Sequence, residues 1–265
     1  MSDVIRSGED EATLEQRSVR VSALTVRLRH ERHRVRSIKE YLVGRPGRST
    51  GRVEWFDALT GVSFDVAAGE LFAVVGTNGA GKTTLLRALA GIVPPHAGTV
   101  SVRGRLAPLI ELGAGFDPEL TGRENIFLYG GLLGLRVPEI RGLLPAVAEF
   151  SGLEHELDSA IKNYSSGMVA RLGFAIATAS RPEVLLVDEV LAVGDETFRH
   201  RCRQRIAELR AAGTAVVLVS HDLELVEAEA TAAIWLGQGR VLACGRCAEV
   251  VGEYRRSLSR CGVGP

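Results

Sequence analysis

An apolar run, Leu71 to Val75, leads directly into Gly76-Thr77-Asn78-Gly79-Ala80-Gly81-Lys82-Thr83, and Leu85, Leu86, Ala88, Leu89 and Ala90 follow at helical density. No other stretch restricts the fold as strongly. It fits G-x-x-x-x-G-K-[ST], and the order buried strand, glycine loop, helix is the context that pattern requires. The three glycines let backbone N–H groups converge on a polyphosphate, with the positive end of the new helix behind them. Lys82 is placed to reach the β- and γ-phosphates of a nucleoside triphosphate and Thr83 to offer a hydroxyl to Mg²⁺, with Thr84 a further nucleotide-binding residue.

A chain of 265 residues is long enough for one large α/β domain with a subdomain. Basic and acidic residues both number 32, so no net field recruits nucleic acid or a membrane. Four cysteines (Cys202, Cys244, Cys247, Cys261) in so long a chain do not make a disulfide framework, which suits a reducing compartment. Cys244 and Cys247 have a metal-like spacing, but no second Cys or His pair accompanies them and no zinc site is expected. Met1 to Glu15 lacks the charged-then-apolar pattern of a signal, and no stretch has the length of a membrane span.

Residues 1–17 read as a frayed tail, and Arg20 to Arg29 alternates as a first strand. An Arg-dense segment, about 30–52, reads as a solvated insertion, with anionic headgroups as a further candidate contact. Ala58 to Val66 and Glu70 to Val75 read as strands, the phosphate-loop helix runs to about Gly91, and Gly98–Val102 and Leu106–Leu112 are further short strands. Thr121-Gly122-Arg123-Glu124 has the spacing of a capping box that opens a helix through Leu133, and Pro138 to Phe150 carries a second apolar stripe. The block about 117–178 is therefore a helical lobe inserted into the α/β core, which resumes at Val184–Val187 and Ala215–Val219. The C-terminal residues 259–265 read as a tail.

Val184–Val187 is a continuous apolar run, as a central parallel strand demands, and it ends in Asp188-Glu189. Ligands bind at that edge of a parallel sheet. Asp188 is placed to hold Mg²⁺ through water and Glu189 to polarise an attacking water. Val216–Val219 ends in Ser220-His221, a matching strand end, which makes His221 a candidate γ-phosphate contact.

With Lys82, Asp188-Glu189 and His221 in that order, the chain resembles the nucleotide-binding subunits of ABC transporters. Their L-S-G-G-Q signature is represented by Tyr164-Ser165-Ser166-Gly167-Met168, where Ser165 and Gly167 match and Tyr164, Ser166 and Met168 depart. Their S-A-L-D loop is represented by Ala192-Val193-Gly194-Asp195, where only Asp195 is kept. These departures, with Leu112-Gly113-Ala114-Gly115-Phe116-Asp117-Pro118-Glu119-Leu120-Thr121-Gly122-Arg123-Glu124-Asn125, look like the branch that exports bacterial surface polysaccharides: capsule, O-antigen and teichoic acid chains. The resemblance covers about residues 21–254.

It implies an α/β fold: a phosphate-loop ATPase with a RecA-like parallel-sheet core, an antiparallel β subdomain and an inserted helical subdomain, together the cassette 18–258. It implies ATP and Mg²⁺ as ligands, and a head-to-tail dimer. Each ATP would lie between Gly76–Thr84 of one copy and Ser165–Met168 of the other. It further implies an integral-membrane permease docked on the helical block near Glu119 and Arg123, and a peripheral location on the cytoplasmic face of the inner membrane. Nucleic acid is not an expected partner. The family's Mg²⁺-sensing glutamine has no counterpart here, Glu111 being the nearest candidate, and the adenine-stacking aromatic is Trp55 or Phe56. With few residues after Tyr254, no appended glycan-binding domain is expected. Two other readings remain: an ABC ATPase for another cargo (lipid, drug or solute), and a soluble ABC-type ATPase acting on nucleic acid or ribosomes. Against the second, the chain has one cassette and no sustained heptads.

Overall fold

The computed structural model describes residues 17–31, 53–110, 113–188 and 195–260. The tail 1–16, the Arg-rich residues 32–52, Glu111, Glu189, the segment through Gly194 and residues 261–265 lie outside the described residues. Two sheets carry the fold. The first is antiparallel, ordered β2-β1-β4, from β1 (Arg17–Glu31), β2 (Val53–Ala67) and β4 (Ala97–Val102). The second is ordered β5-β6-β7-β3-β8-β9. It comprises β3 (Leu71–Val75), β5 (Leu106–Leu109), β6 (Val184–Asp188), β7 (Ala215–Val219), β8 (Ala232–Gly237) and β9 (Arg240–Arg246). All its neighbours pair in parallel except β8 and β9.

Strand alternation decides what each sheet face meets. Phe72, Val74, Leu186, Val217 and Val219 share one core cluster with Val19, Val26, Leu59 and Val62 of the antiparallel sheet and with Leu85 and Leu86 of helix α1 (Lys82–Leu89). The helix after the phosphate loop is thus enclosed between the two sheets. Leu71, Leu185, Val187, Val216 and Leu218 belong instead to a cluster with the helical lobe. That lobe comprises α2 (Gly122–Leu132), α3 (Val137–Ser151), a 3₁₀ turn (Ile161–Asn163) and α4 (Ser166–Ala179). Helix α5 (Glu196–Ala211) packs beside it through Phe198, whose ring lies edge-on to Phe150 and Phe174. A third cluster joins Ala73, Val75 and Ala233 to α6 (Leu223–Glu229) and α7 (Cys247–Arg260).

The expected capping box at Thr121–Glu124 forms: the Thr121 hydroxyl accepts from the Glu124 N–H, and the Glu124 carboxylate accepts from the Thr121 N–H. Several boundaries differ from the sequence reading. Arg17 already pairs with Ala67 in the sheet, so the strand starts inside the expected tail, and α7 runs on to Arg260 where a tail was expected. β5 covers Leu106–Leu109, which pair with β6, while Glu111 and Leu112 of the expected strand lie outside the described residues.

Candidate functional site

Three parallel strands end together at one edge of the large sheet. β7 lies between β3 and β6, and Val74, Val219 and Asp188 stand level across the ladder. The phosphate loop leaves β3, Ser220-His221 leaves β7, and Asp188 closes β6. The edge anticipated for Lys82, Asp188 and His221 is therefore a single one.

Glycine is required at two positions of the loop. Gly76 has φ 150°, and a Cβ there would overlap the Leu236 carbonyl of β8. Gly81 has φ 102°, and a Cβ would come 2.8 Å from Leu59 and 2.9 Å from the Ala58 carbonyl of β2. The loop thus passes directly against the antiparallel sheet. Its conformation is held by the Ala80 N–H to the Thr77 carbonyl at 3.2 Å, and the Ala80 carbonyl accepts from the Gly239 N–H at 3.0 Å. Gly239 sits in the β8–β9 turn, whose carbonyl also accepts from Thr60 N at 2.8 Å. Sequence reading missed this buttress. The local signal was Gly237-Gln238-Gly239 between two apolar runs, a hairpin pattern.

Lys82 is buried, and its ammonium donates to the carbonyls of Gly76 at 2.8 Å and Thr77 at 3.0 Å. A buried cation must be satisfied, so the loop folds around this one and holds it where anionic oxygens would enter. Thr83 Oγ1 donates to Asp188 Oδ2 at 3.2 Å across 105 residues of sequence, which joins two candidate Mg²⁺ ligands. His221 is exposed, and Asp222 after it caps α6 by accepting from Glu224 N and Leu225 N at 3.1 and 3.0 Å.

The aromatic pair is separated by register. Leu28 pairs with Phe56, Arg29 with Trp55, and a bulge at Ala58 lets Val26 pair with Leu59 and Arg27 with Asp57. Cross-strand partners share a face. Phe56 therefore lies with Leu28, Val26 and Leu59, the face turned to α1 and the loop. Trp55 lies on the other face with the Arg27–Asp57 ion pair, whose hydrogen bond of 2.7 Å holds the Asp57 carboxyl below its usual range. Both rings are exposed, Phe56 at 49% and Trp55 at 61%.

The signature-like residues stand on a different element. Ser165 caps α4, its Oγ accepting from the Met168 N–H at 3.2 Å; Ser166 is exposed and Gly167 half-buried in the first turn. Asp195 caps α5 by accepting from Phe198 N at 2.8 Å, and its other oxygen accepts from Arg171 of α4 at 2.9 Å. Arg171 also lies over the Phe198 ring at 5.3 Å, a second role that no sequence motif announced. Glu189 and Glu111 fall outside the described residues. Among the described residues, no group of three or more His, Cys, Asp or Glu side chains is arranged to hold a metal ion, and no helix is long and apolar enough to cross a membrane.

A phosphate loop facing a strand-end carboxylate in a RecA-like sheet, with a helical insertion, defines an ATP-binding cassette. Comparison with known proteins agrees. The ABC transporter family profile matches residues 59–192. The O-antigen export system ATP-binding protein RfbB of Klebsiella pneumoniae is 43% identical over 202 residues, covering 76% of this chain and 82% of that protein. The teichoic acids export ATP-binding protein TagH of Bacillus cereus is 40% identical over 201 residues, covering 76% of this chain and 36% of that protein. A dimeric, post-hydrolysis structure of the cassette MJ0796 bound to ADP and Pi superposes with a TM-score of 0.68 at 20% identity, covering 86% of this chain and 98% of that one. The chain belongs to the ABC transporter family, as an ATP-binding subunit with the cassette fold.

Proposed function

We propose that this chain is the ATP-hydrolysing subunit that powers export of a surface polysaccharide, or its lipid-linked precursor, through a partner membrane permease. The observation that carries the ATPase is the Thr83–Asp188 contact beside the buried Lys82. Likeness to the O-antigen and teichoic acid subunits supports the cargo.

The donor set suits Mg²⁺. A hydroxyl and a carboxylate, both hard oxygen donors, lie side by side 3.2 Å apart at the strand edge. Thr83 and Asp188 would hold the ion, which when bound draws charge from the β- and γ-phosphates. Lys82 exchanges its two carbonyl partners for phosphate oxygens, and the N–H groups of Gly79 to Thr84 converge on the same anion. Phe56 stacks on the base, since it shares the face of Leu28 and Leu59. Glu189 takes the proton of the attacking water and His221 contacts the γ-phosphate. A second copy, head to tail, adds Ser165, Ser166, Gly167 and Met168 from the open end of its α4. Closure of the pair then depends on the γ-phosphate, and its loss on hydrolysis releases the halves. The subunit works at the cytoplasmic face of the membrane through its permease.

The test is affinity purification of tagged Glu189→Gln protein from solubilised native membranes with ATP present. The variant should bind ATP while turnover falls about 10²–10⁴-fold, the usual contribution of a general base. A stoichiometric multi-spanning protein should co-purify. A soluble dimer alone, or one carrying nucleic acid, would overturn the export reading and leave the ATPase standing.

A further inference from the structure

Tyr164 occupies the place where the family signature has leucine, and its hydroxyl finds a specific partner. The phenol donates to the Glu156 carbonyl at 2.6 Å. Its ring lies on Gly122, the first residue of α2, where a Cβ would overlap the hydroxyl and come 3.2 Å from the ring carbon bearing it. Burial pushes the phenol pKa up, with the Glu156 and Asp158 carboxylates adding to the shift, so the hydroxyl stays a donor at neutral pH. The next residue, Ser165, is the α4 cap.

The seam around this contact is densely paired. Gly122 N donates to Ser159 O at 3.1 Å, Arg123 N to Leu157 O at 2.9 Å, Ile161 N to Leu120 O at 2.9 Å, and Lys162 N to Pro118 O at 3.0 Å. Two ion pairs cross it as well, Lys162–Glu119 at 2.6 Å and Arg123–Asp158 at 2.9 Å. The opening turn of α2 and the approach to Ser165 are therefore two sides of one stitched unit. Tyr164 is the side chain that links the stitching to the α4 cap. A charge reversal at Glu119 or Arg123 would remove one of these exposed ion pairs as well as alter any docking surface there.

We infer that Tyr164 is a positioning residue for the trans ATP site: its phenol, seated on Gly122, keeps Ser165 in register with the α2 turn. The inference rests on the head-to-tail reading above, in which Ser165 meets the ATP of the partner copy. In that reading the nucleotide of its own copy is held by the phosphate loop, so loss of Tyr164 should weaken closure of the pair and leave nucleotide binding by one copy alone.

The experiment uses full-length Glu189→Gln protein as parent. ATP affinity is measured at protein concentrations where single copies prevail, and ATP-driven dimerisation by light scattering. Tyr164→Phe removes only the hydroxyl. It should keep the single-copy ATP affinity within about twofold and weaken dimerisation about three- to tenfold, the range for one hydrogen bond. Gly122→Ala should weaken dimerisation more, because the added methyl displaces the phenol. Gly122→Ala combined with Tyr164→Phe should be milder than Gly122→Ala alone, since the overlapping hydroxyl is gone and only the tight contacts with the ring carbon at 3.2 Å and with Leu157 Cα at 3.3 Å remain. Normal dimerisation of Tyr164→Phe, a parallel loss of single-copy ATP affinity, or a double variant worse than both singles would each overturn the inference. Ser165→Ala in the same parent separates the two layers. If it leaves the dimer intact, or ATP fails to dimerise the parent, the head-to-tail reading falls and this inference with it. If it weakens the dimer while Tyr164→Phe does not, only this inference falls.

Discussion

Asn125 is fully buried on α2, and its two possible losses separate by sign with pH. Its Oδ1 accepts from Asp117 N at 2.8 Å, and its Nδ2 faces the carbonyls of Asp117, Leu120 and Thr121 at 3.0, 3.1 and 3.0 Å. Each carbonyl has another donor: Leu120 N, Ile161 N and Asn125 N respectively. Asn125→Ala therefore orphans chiefly the Asp117 N–H, on a half-exposed loop, and should cost about 2 kcal/mol. Asn125→Asp is different. It keeps the acceptor for Asp117 N but turns an oxygen toward three carbonyls, where a carboxylate repels and a neutral acid offers one hydrogen instead of two. The new carboxyl must stay protonated, so its folded pKa rises above the unfolded value of about 3.9. A raised folded pKa means the unfolded chain ionises first. Stability then falls as pH rises past about 4, by about 1.4 kcal/mol per unit, until the folded pKa is passed. With a shift of about two units, Asn125→Asp loses about 3 kcal/mol by pH 7 and ranks below Asn125→Ala; near pH 4.5 the order narrows or reverses. Urea midpoints of both variants and the parent at pH 4.5 and 7 measure this. An Asn125→Asp midpoint that tracks the parent across both pH values would refute the carbonyl-cage argument.

Phe56→Ala should weaken ATP binding by about 1–2 kcal/mol, or about five- to thirtyfold, while Trp55→Ala changes it less than about twofold, as calorimetric titration of the two variants can decide. Burial pushes the Cys202 thiol up to about 12, with Arg201 opposing weakly. Native protein at pH 8 should therefore leave Cys202 unmodified by iodoacetamide, and urea should expose it, as peptide mass spectrometry reads out. Hydrogen bonds from the Thr121 backbone and hydroxyl lower the Glu124 pKa. The stability this gives is present above the ordinary carboxylate range and lost as pH falls through the lowered value, so Glu124→Gln should flatten the acid limb of the pH–stability curve.

What was legible in the sequence is what neighbouring residues determine. The strand–loop–helix at Leu71–Leu89 needs only an apolar run, three glycines and a lysine, and β7 appears at the expected Ala215–Val219. The capping box at Thr121 is equally local. What escaped was set by pairing across distance. That β7 lies between β3 and β6 follows from the sheet ladder, since strand order is not written in strand composition. Which face each of Trp55 and Phe56 takes turned on register. Adjacent strand residues face opposite sides, and the bulge at Ala58 shifts the parity that counting from Leu59 would assign. Arg171 gave no signal, because its two partners sit 24 and 27 residues on, at Asp195 and Phe198.

Helix α4 is held by two unlike kinds of force, and the magnitudes say what each does. Phe150, Phe174 and Phe198 form one ring cluster, with centroids 5.7 to 6.2 Å apart, that fastens α3 and α4 to α5. Truncating one such buried ring typically costs about 3–5 kcal/mol, so this cluster supplies the cohesion. The Arg171–Asp195 pair, with side chains 30% and 61% exposed, belongs to the class worth about 1 kcal/mol or less. A contact that weak does not hold two helices together. What it does is direct: it fixes which way the Asp195 carboxylate points while the other oxygen caps α5. Tyr164 does the same just before the helix N-terminus, where four backbone hydrogen bonds already supply cohesion and the phenol adds alignment. On this division of labour, the apolar joints make α4 part of the body. The polar contacts at Tyr164 and Arg171 set how the Ser165 hydroxyl and the Asp195 carboxylate are held at the start of their helices.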